Sequence, residues 1–187
     1  MFRITTELYD KIKYFAKFPQ MGVSLRQMVM FGQNPSQGTL LRASMYLHEE
    51  LPVRLAHRVK ELDELPHGLS EMPSIKKVKN WYAQSFQDLI ELPPPELSQS
   101  VKEVLKRGAP NGDGETVHLP PSIPNPSIKQ GTCNGSTSKS LSYKRRYYAN
   151  VEDFDWPREV HNYNDKLTKV IEIIKRRHDP VVTTMGI

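Results

Sequence analysis

Cysteine is nearly absent from this 187-residue chain, which has only Cys133. A single thiol excludes an internal disulfide and a zinc site made of several cysteines. Because Cys133 lies in a stretch rich in glycine, serine and threonine, we interpret it as an incidental exposed thiol. We predict no metal site in this chain.

Long apolar runs are also absent. No stretch approaches the roughly 18 apolar residues that cross a bilayer as a helix, so we predict no membrane span. The first 17 residues contain Arg3 and three lysines, but also Glu7 and Asp10. A mitochondrial transit peptide is normally rich in arginine and poor in acids. The N-terminal residues therefore give no clear targeting signal.

Glycine-rich phosphate loops are missing as well. None of the 10 glycines falls in a repeated pattern of the kind that brings backbone N–H groups close to phosphates. There is no Walker loop, no Asp-x-Gly-x-Gly and no Gly-x-Gly-x-Gly. We predict no catalytic residue and no bound cofactor in this chain.

The positive charge of the chain is scattered. The formal net charge is +5, and the densest basic groups, Lys144–Arg146 and Lys175–Arg177, are short. A nucleic-acid-binding protein usually concentrates its basic residues on one face. We therefore predict no nucleic-acid partner.

Four segments place apolar residues at helical spacing. The first begins near Leu8 and ends before Pro19, the second runs from Thr39 to Asp63, the third opens at Pro73, and the fourth opens near Trp156. The positions of these patterns, all apolar or aromatic except Ser44, are Leu8, Ile12 and Phe15; Leu40, Ser44, Leu47, Leu51, Leu55, Val59 and Leu62; Ile75, Val78, Trp81, Tyr82, Phe86, Leu89 and Leu92; and Val160, Tyr163, Leu167, Val170, Ile171 and Ile174.

Proline shapes two of these segments. Pro52 lies inside the second one, where it removes a backbone donor and crowds the preceding turn, so we expect one kinked helix. Pro157 suits the first turn of the fourth helix. A shorter helix is predicted from Ser24 to a stop at Gly32.

The stretch 93–150 differs from the rest in composition. It holds eight of the fifteen prolines and the polar run from Gly131 to Ser140. Such a segment cannot bury enough apolar surface to offset its ordering entropy, although Leu97 to Lys106 is compatible with a short helix. The predicted fold is all-α: an antiparallel four-helix bundle with a long Pro-rich, largely disordered insertion. The first helices occupy 1–92, the insertion 93–150 and the last helix 151–187.

Three sequence blocks occur in a specific order. They are Glu49–Arg58 (EELPVRLAHR), Trp81–Phe86 (WYAQSF), and Lys175–Asp179 followed by Val181–Met185, with Tyr9–Lys13 and Leu25–Met28 upstream. This order resembles the N-terminal domain of the mitochondrial pyruvate dehydrogenase kinases and branched-chain ketoacid dehydrogenase kinases. The resemblance covers nearly all of residues 7–185 outside the insertion, which itself resembles that of fungal members.

The resemblance implies a regulatory four-helix bundle that packs beside a nucleotide-binding domain of the GHKL type. Such kinases phosphorylate serine on the E1 component of a ketoacid dehydrogenase complex and hold a lipoyl-lysine arm of its E2 component. They are located in the mitochondrial matrix. The nucleotide-binding domain, where the family binds ATP and magnesium, is absent from this sequence, so we expect this chain alone to be a monomer without kinase activity. The residues of the second and third blocks, Trp81–Tyr82 and Arg176–His178, favour the pyruvate branch of the family.

The family's lipoyl pocket is an apolar socket. The matching positions here are Val23, Met28, Phe31 and Tyr46. A dithiolane on an aliphatic arm favours an apolar, polarizable environment, which methionine and aromatic residues supply. The sequence departs from the family pattern, because Met28 and Tyr46 stand where phenylalanine is expected and Val23 where leucine is expected. Without the resemblance, we would interpret these residues as core residues at helical spacing, and this remains the alternative interpretation.

The family also has a regulatory site for small carboxylates such as pyruvate. The matching positions are Leu55, Tyr82, Ser85, Ile174, Lys175 and His178. A buried carboxylate requires hydroxyl donors and positive charge, which these side chains offer. Lysine stands at position 175 where the family has arginine, and it lacks the bidentate guanidinium fork. The alternative interpretation is a solvated basic helix end.

Two other functions remain open from the sequence. One is a helical adaptor that binds partners through its Pro-rich insertion, since Pro93–Pro95 and Pro120–Pro121 suit polyproline II recognition. The other is a complete enzyme with a nucleotide site of unfamiliar sequence.

Overall fold

A computed structural model describes residues 2–20, 29, 32, 36–107 and 155–186. All regular structure in these ranges is helical: α1 Thr6–Phe15, α2 Gln37–Asp63, α3 Pro73–Ile90, α4 Gln99–Arg107, α5 Arg158–His178 and α6 Val181–Met185, with a 3₁₀ turn at Leu69–Glu71. The all-α prediction is confirmed for the described residues, whereas the four-helix-bundle arrangement stays a prediction. The short helix expected at 24–32 and most of the Pro-rich insertion lie outside them.

Local signals in the sequence explain where the helices begin and end. Thr5 caps α1, because its Oγ1 accepts a hydrogen bond from the Leu8 N–H at 3.2 Å. Pro73 occupies the first turn of α3, where the missing N–H costs nothing. Between α2 and α3 the chain turns through two positive φ angles, 57° at His67 and 73° at Gly68. Glycine adopts that conformation without strain.

The longest helix passes through a proline. Pro52 lies inside the 27-residue α2 and is buried, so one helix forms, as predicted. The buried face is not the predicted one at the N-terminal end, where Leu40 is 43% exposed and Leu41 fully buried. Adjacent residues point about 100° apart around a helix. Because Leu40 and Leu41 are both apolar, the sequence alone does not determine which of them is buried.

The described chain divides into two compact units. The first contains Met1–Gln20, Leu47–Pro94 and Asp165–Ile187, and the second contains Met21–Tyr46 and Pro95–Asn164. The core of the first unit is drawn from α1 with its C-cap residue, α2 and α3: Leu8, Ile12, Ala16, Ala56, Val59, Ala83 and Phe86. The Phe86 ring packs edge-on against Phe15, with centroids 5.2 Å apart. This geometry is favourable for aromatic pairs.

A buried histidine fixes the end of α1 in this unit. His57 is 3% exposed, and its Nε2 lies 2.8 Å from the carbonyl oxygen of Phe18. A carbonyl only accepts hydrogen bonds, so Nε2 carries the proton and donates. The segment that leaves α1 is thereby attached to α2.

Asp63 joins three helices of the first unit. Its Oδ2 accepts from the Tyr9 hydroxyl of α1 at 2.5 Å, and its Oδ1 accepts from the Lys79 Nζ of α3 at 2.6 Å. Burial pushes the pKa of Asp63 upward, but the hydrogen bonds from Lys79 and Tyr9 outweigh it and lower the pKa overall. The same hydrogen bond, with burial, raises the pKa of Tyr9 to about 12. Tyr9 therefore stays a neutral donor.

The second unit joins α2 to α4 and α5 through buried polar groups. Ser44 Oγ donates to Asn164 Oδ1 at 3.1 Å, and Asn164 Nδ2 donates to Gln37 Oε1 at 3.1 Å. Arg42, which is 3% exposed, donates from Nη2 to the Leu105 carbonyl at 2.6 Å. The expected helix at 97–106 is therefore present as α4, and its Val101 is buried.

No helix in the described ranges is both long and apolar enough to cross a lipid bilayer.

Asp63→Asn should reduce the free energy of unfolding at pH 7 by about 1–2 kcal/mol, because it removes a charge that two donors solvate. Since the pKa of Asp63 is lowered on folding from 3.8, the unfolded state binds more protons as pH falls. This contribution is therefore present above about pH 4 and lost below it. Urea denaturation of both proteins at about pH 7 and pH 3 measures the difference. The adjacent exposed carboxylate variant Glu64→Gln is the matched control; an equal loss in both variants would contradict the assignment.

Candidate functional site

Helices α3 and α5 bring three of the six predicted carboxylate-site residues together in the first unit. Ser85 is fully buried, and its Oγ lies 2.9 Å from Nε2 of His178. The ring of Tyr82, one turn before Ser85, lies against the imidazole with a centroid distance of 4.4 Å. The helical spacing of positions 82 and 85 explains why both reach the end of α5.

The cation at this cluster is Arg177. Its Nη1 donates to Ser85 Oγ at 2.7 Å, and its Nη2 lies 2.7 Å from Oδ2 of Asp88. The Arg177 side chain is only 14% exposed. One guanidinium therefore contacts two α3 side chains that are one turn apart.

The remaining predicted positions contribute less directly. Lys175, the cation expected from the sequence, is exposed. Leu55 is half-buried and packs against the core of the first unit, and Ile174 is half-buried on α5. The sequence did contain a signal for Arg177, because position 177 continues the helical spacing of the inward-facing residues Val160, Leu167 and Ile174. Lys175, in contrast, lies about 100° around the helix from Ile174.

The environment of His178 favours its neutral form. Burial lowers the pKa of His178 below 6.5, and the neighbouring Arg177 charge lowers it further. Ser85 Oγ accepts from Arg177, which leaves its own proton free to be donated to Nε2 of the neutral imidazole. The guanidinium, hydroxyl and imidazole thus form one hydrogen-bonded chain.

This arrangement offers what a small carboxylate requires. A desolvated anion needs donors and positive charge close by, and the cluster supplies a guanidinium, two hydroxyl groups and a titratable imidazole. Among the described residues, no group of three His, Cys, Asp or Glu side chains lies close enough to hold a metal ion.

The predicted lipoyl positions are described at one point only. Tyr46 lies on α2 in the second unit and is 8% exposed. Val23, Met28 and Phe31 lie outside the described residues. A role for these four residues as a pocket therefore stays a prediction.

The stability of the protein should fall as pH is lowered from about 7.5 to 5.5, and His178 should account for part of that loss. Its pKa is lowered on folding from 6.5, so its contribution is present above about pH 6.5 and lost as the unfolded state takes up a proton. Urea denaturation across this range should show a shallower dependence for His178→Gln. The exposed His161→Gln is the control and should keep the wild-type dependence; identical curves for both variants would contradict this.

The chain is similar in sequence to mitochondrial dehydrogenase kinases. The family model for the mitochondrial branched-chain α-ketoacid dehydrogenase kinase matches residues 22–187. A mitochondrial [pyruvate dehydrogenase (acetyl-transferring)] kinase of Schizosaccharomyces pombe is 33% identical over 186 residues, which are 96% of this chain and 42% of that protein. The Arabidopsis thaliana kinase of the same name is 43% identical over 135 residues, 59% of this chain and 37% of that protein.

Mammalian relatives match a shorter part. Isozyme 4 of the mitochondrial pyruvate dehydrogenase kinase of Rattus norvegicus is 40% identical over 82 residues, 43% of this chain and 19% of that protein. The chain thus spans less than half the length of the curated relatives it matches. These relatives are mitochondrial by name, and the protein is mitochondrial. The chain belongs to the mitochondrial branched-chain α-ketoacid dehydrogenase kinase family, together with the pyruvate dehydrogenase kinases it matches.

Proposed function

We propose that this chain is the regulatory, lipoyl-domain-binding part of a protein-serine kinase of the mitochondrial matrix that inactivates the E1 component of pyruvate dehydrogenase. The observation that carries the regulatory part of the proposal is the cluster in the first unit of buried Ser85 with half-buried Tyr82, Arg177 and His178. Membership of the kinase family, and the pyruvate dehydrogenase kinases named among its relatives, give that cluster its context.

Within this function, the cluster is the site where a small carboxylate acts on the kinase. Its groups come from helices α3 and α5, so an anion bound there contacts both helices at once. A ligand that binds one arrangement of two helices more tightly than another shifts the balance between them. Regulation by pyruvate is thus supported by the position of the cluster between two helices of the same unit.

The lipoyl-binding role rests on the second unit. Tyr46 is a buried aromatic side chain on α2, and Val23, Met28 and Phe31 are apolar or polarizable residues of the same sequence region. Such residues suit an apolar slot for a dithiolane. The partner is therefore the lipoyl domain of the E2 component, and the E1 component is the substrate of the whole kinase.

Phosphoryl transfer is not assigned to residues 1–187. A nucleotide phosphate group needs glycine-rich backbone or an equivalent cradle of N–H groups, and this sequence offers no such pattern. We expect ATP and magnesium to bind the nucleotide-binding domain that the family places beside this bundle.

Arg177→Gln should weaken pyruvate binding by about tenfold or more, because it removes a charged hydrogen-bond donor and leaves the Asp88 carboxylate unpaired beside the site. Lys175→Gln is the matched control two residues away and should change the affinity less than about twofold, since Lys175 is exposed. Isothermal calorimetry of the 187-residue chain measures both, after thermal melting has shown that each variant is folded. Loss of binding in Lys175→Gln with Arg177→Gln unaffected would reverse the assignment of the cation.

Tyr46→Ala should weaken binding of a lipoylated E2 lipoyl domain by about tenfold or more, because it removes the aromatic ring of the proposed pocket. Tyr46→Phe keeps the ring and should bind like the wild type. Calorimetry with the lipoylated domain measures these affinities, with the unlipoylated domain as the control for contacts outside the pocket. Equal binding of the two forms of the domain by the wild-type chain would refute the lipoyl-binding role.

A further inference from the structure

The charges at the cluster of Tyr82, Ser85, Arg177 and His178 are already balanced when no ligand is bound. The guanidinium of Arg177 faces Ser85 with Nη1 and Asp88 with Nη2, at 2.7 Å each. The Asp88 carboxylate therefore neutralises the one permanent cation of the site. Ser85 and Tyr82 are uncharged donors. A second carboxylate that enters this cluster finds hydrogen-bond donors but no uncompensated positive charge.

The titratable groups around His178 show which of them can supply a positive charge to a bound carboxylate. From α3, Tyr82 and Ser85 face the imidazole and Asp88 lies one turn further. From α5, the neighbour is Arg177, while Lys175 and Arg176 are exposed, as is Asp179 in the turn that follows. The next helix, α6, consists of Val181–Met185 and carries no titratable side chain. His178 is thus the group of this cluster whose charge changes near neutral pH.

We infer that a small carboxylate binds this site together with one proton from solvent, which His178 takes up on Nε2. The inference rests on the proposed carboxylate-binding function and goes beyond it, because it makes the affinity of the site dependent on pH. The ligand, a carboxylate anion, and the proton enter as a neutral pair. No internal charge has to be displaced.

The hydrogen bonds of the cluster allow His178 to take up a proton without any movement of the backbone. In the free site, Ser85 accepts from Arg177 and donates to the neutral imidazole. Once Nε2 is protonated, the imidazolium donates to the second lone pair of Ser85 Oγ, and Arg177 still donates to the first. The Ser85 O–H then no longer donates to His178, and it rotates toward the incoming carboxylate while keeping its proton. Protonation of His178 therefore also creates a donor for the ligand.

The free imidazole is held neutral by its surroundings, which supports this order of events. Burial and the Arg177 charge lower the pKa of His178 in the ligand-free protein, so the site is uncharged at neutral pH. A carboxylate beside a histidine raises its pKa, typically by about 1–3 units. Binding and protonation consequently strengthen each other.

Isothermal calorimetry of the 187-residue chain with pyruvate tests the inference. Titrations at pH 7 in two buffers of different ionisation enthalpy give the number of protons taken up, for which we expect roughly 0.5 to 1 per pyruvate. The affinity should fall about three- to tenfold from pH 6.5 to pH 7.5. Pyruvamide, which has no carboxylate, is the control ligand and should take up no proton.

Two variants separate the possible outcomes. Asp88→Asn leaves Arg177 uncompensated, so pyruvate should bind more tightly at pH 7.5 and take up less than about half as many protons as in the wild type. His178→Gln keeps a hydrogen-bonding group beside Ser85 but cannot be protonated, so its residual binding should be weak and independent of pH. If Asp88→Asn fails to fold, as judged by circular dichroism, His178→Gln decides alone.

Different experimental results would contradict this inference and the proposed carboxylate site. Pyruvate binding by the wild type without proton uptake, at equal affinity at pH 6.5 and pH 7.5, would overturn the inference and leave the carboxylate site intact. If neither the wild type nor Asp88→Asn binds pyruvate at either pH, the carboxylate site itself is wrong and the inference falls with it.

Discussion

The interaction on which the first unit's candidate site depends is the one between Arg177 and α3. A buried guanidinium is costly unless an anion and hydrogen-bond acceptors compensate it, and Asp88 and Ser85 provide both within one helical turn. This contact joins the end of α5 to α3, and it determines the position of the next residue, His178. The ring of Tyr82 then packs against the imidazole. Without Arg177 in this place, the buried Ser85 hydroxyl would lose one of its two hydrogen-bond partners on α5.

The burial of Ser85 shows how this interaction shapes the helix. Ser85 stands between Ala83 and Phe86, which are both fully buried members of the core. A hydroxyl at such a position destabilises a helix core unless a partner satisfies it. The partners come from α5 and carry charge or can acquire it. The polar cluster is therefore continuous with the hydrophobic core, and a ligand bound there would affect the packing of both helices.

Much of this fold follows from local sequence patterns. The spacing of Leu8 and Ile12 predicted α1, and Pro73 with Val78 and Phe86 predicted α3, because amphipathic periodicity and first-turn proline act within one helix. Two features were not predictable in this way. The choice between Leu40 and Leu41 as the buried residue depends on how α2 packs, and α6 is a single short turn with no strong signal of its own.

The sequence pointed to three residues that the structure brings together at the candidate site, but not to its cation. Tyr82, Ser85 and His178 followed from resemblance, and the structure brings them together. Lys175 was expected to supply the charge, whereas Arg177 lies on the face of α5 that turns inward. Helical periodicity contained that information, but three adjacent basic residues at a helix end resemble a solvated terminus. Only the partner helix, with Asp88 one turn after Ser85, distinguishes the buried cation from its neighbours.

The most direct measurement of the central claim is an intermolecular NOE experiment on the 187-residue protein with pyruvate. Binding at the cluster predicts NOEs from the pyruvate methyl protons to the rings of Tyr82 and His178, and none to the exposed ring of His161. NOEs to other parts of the protein, with none to Tyr82 or His178, would contradict the assignment of this cluster as the carboxylate site.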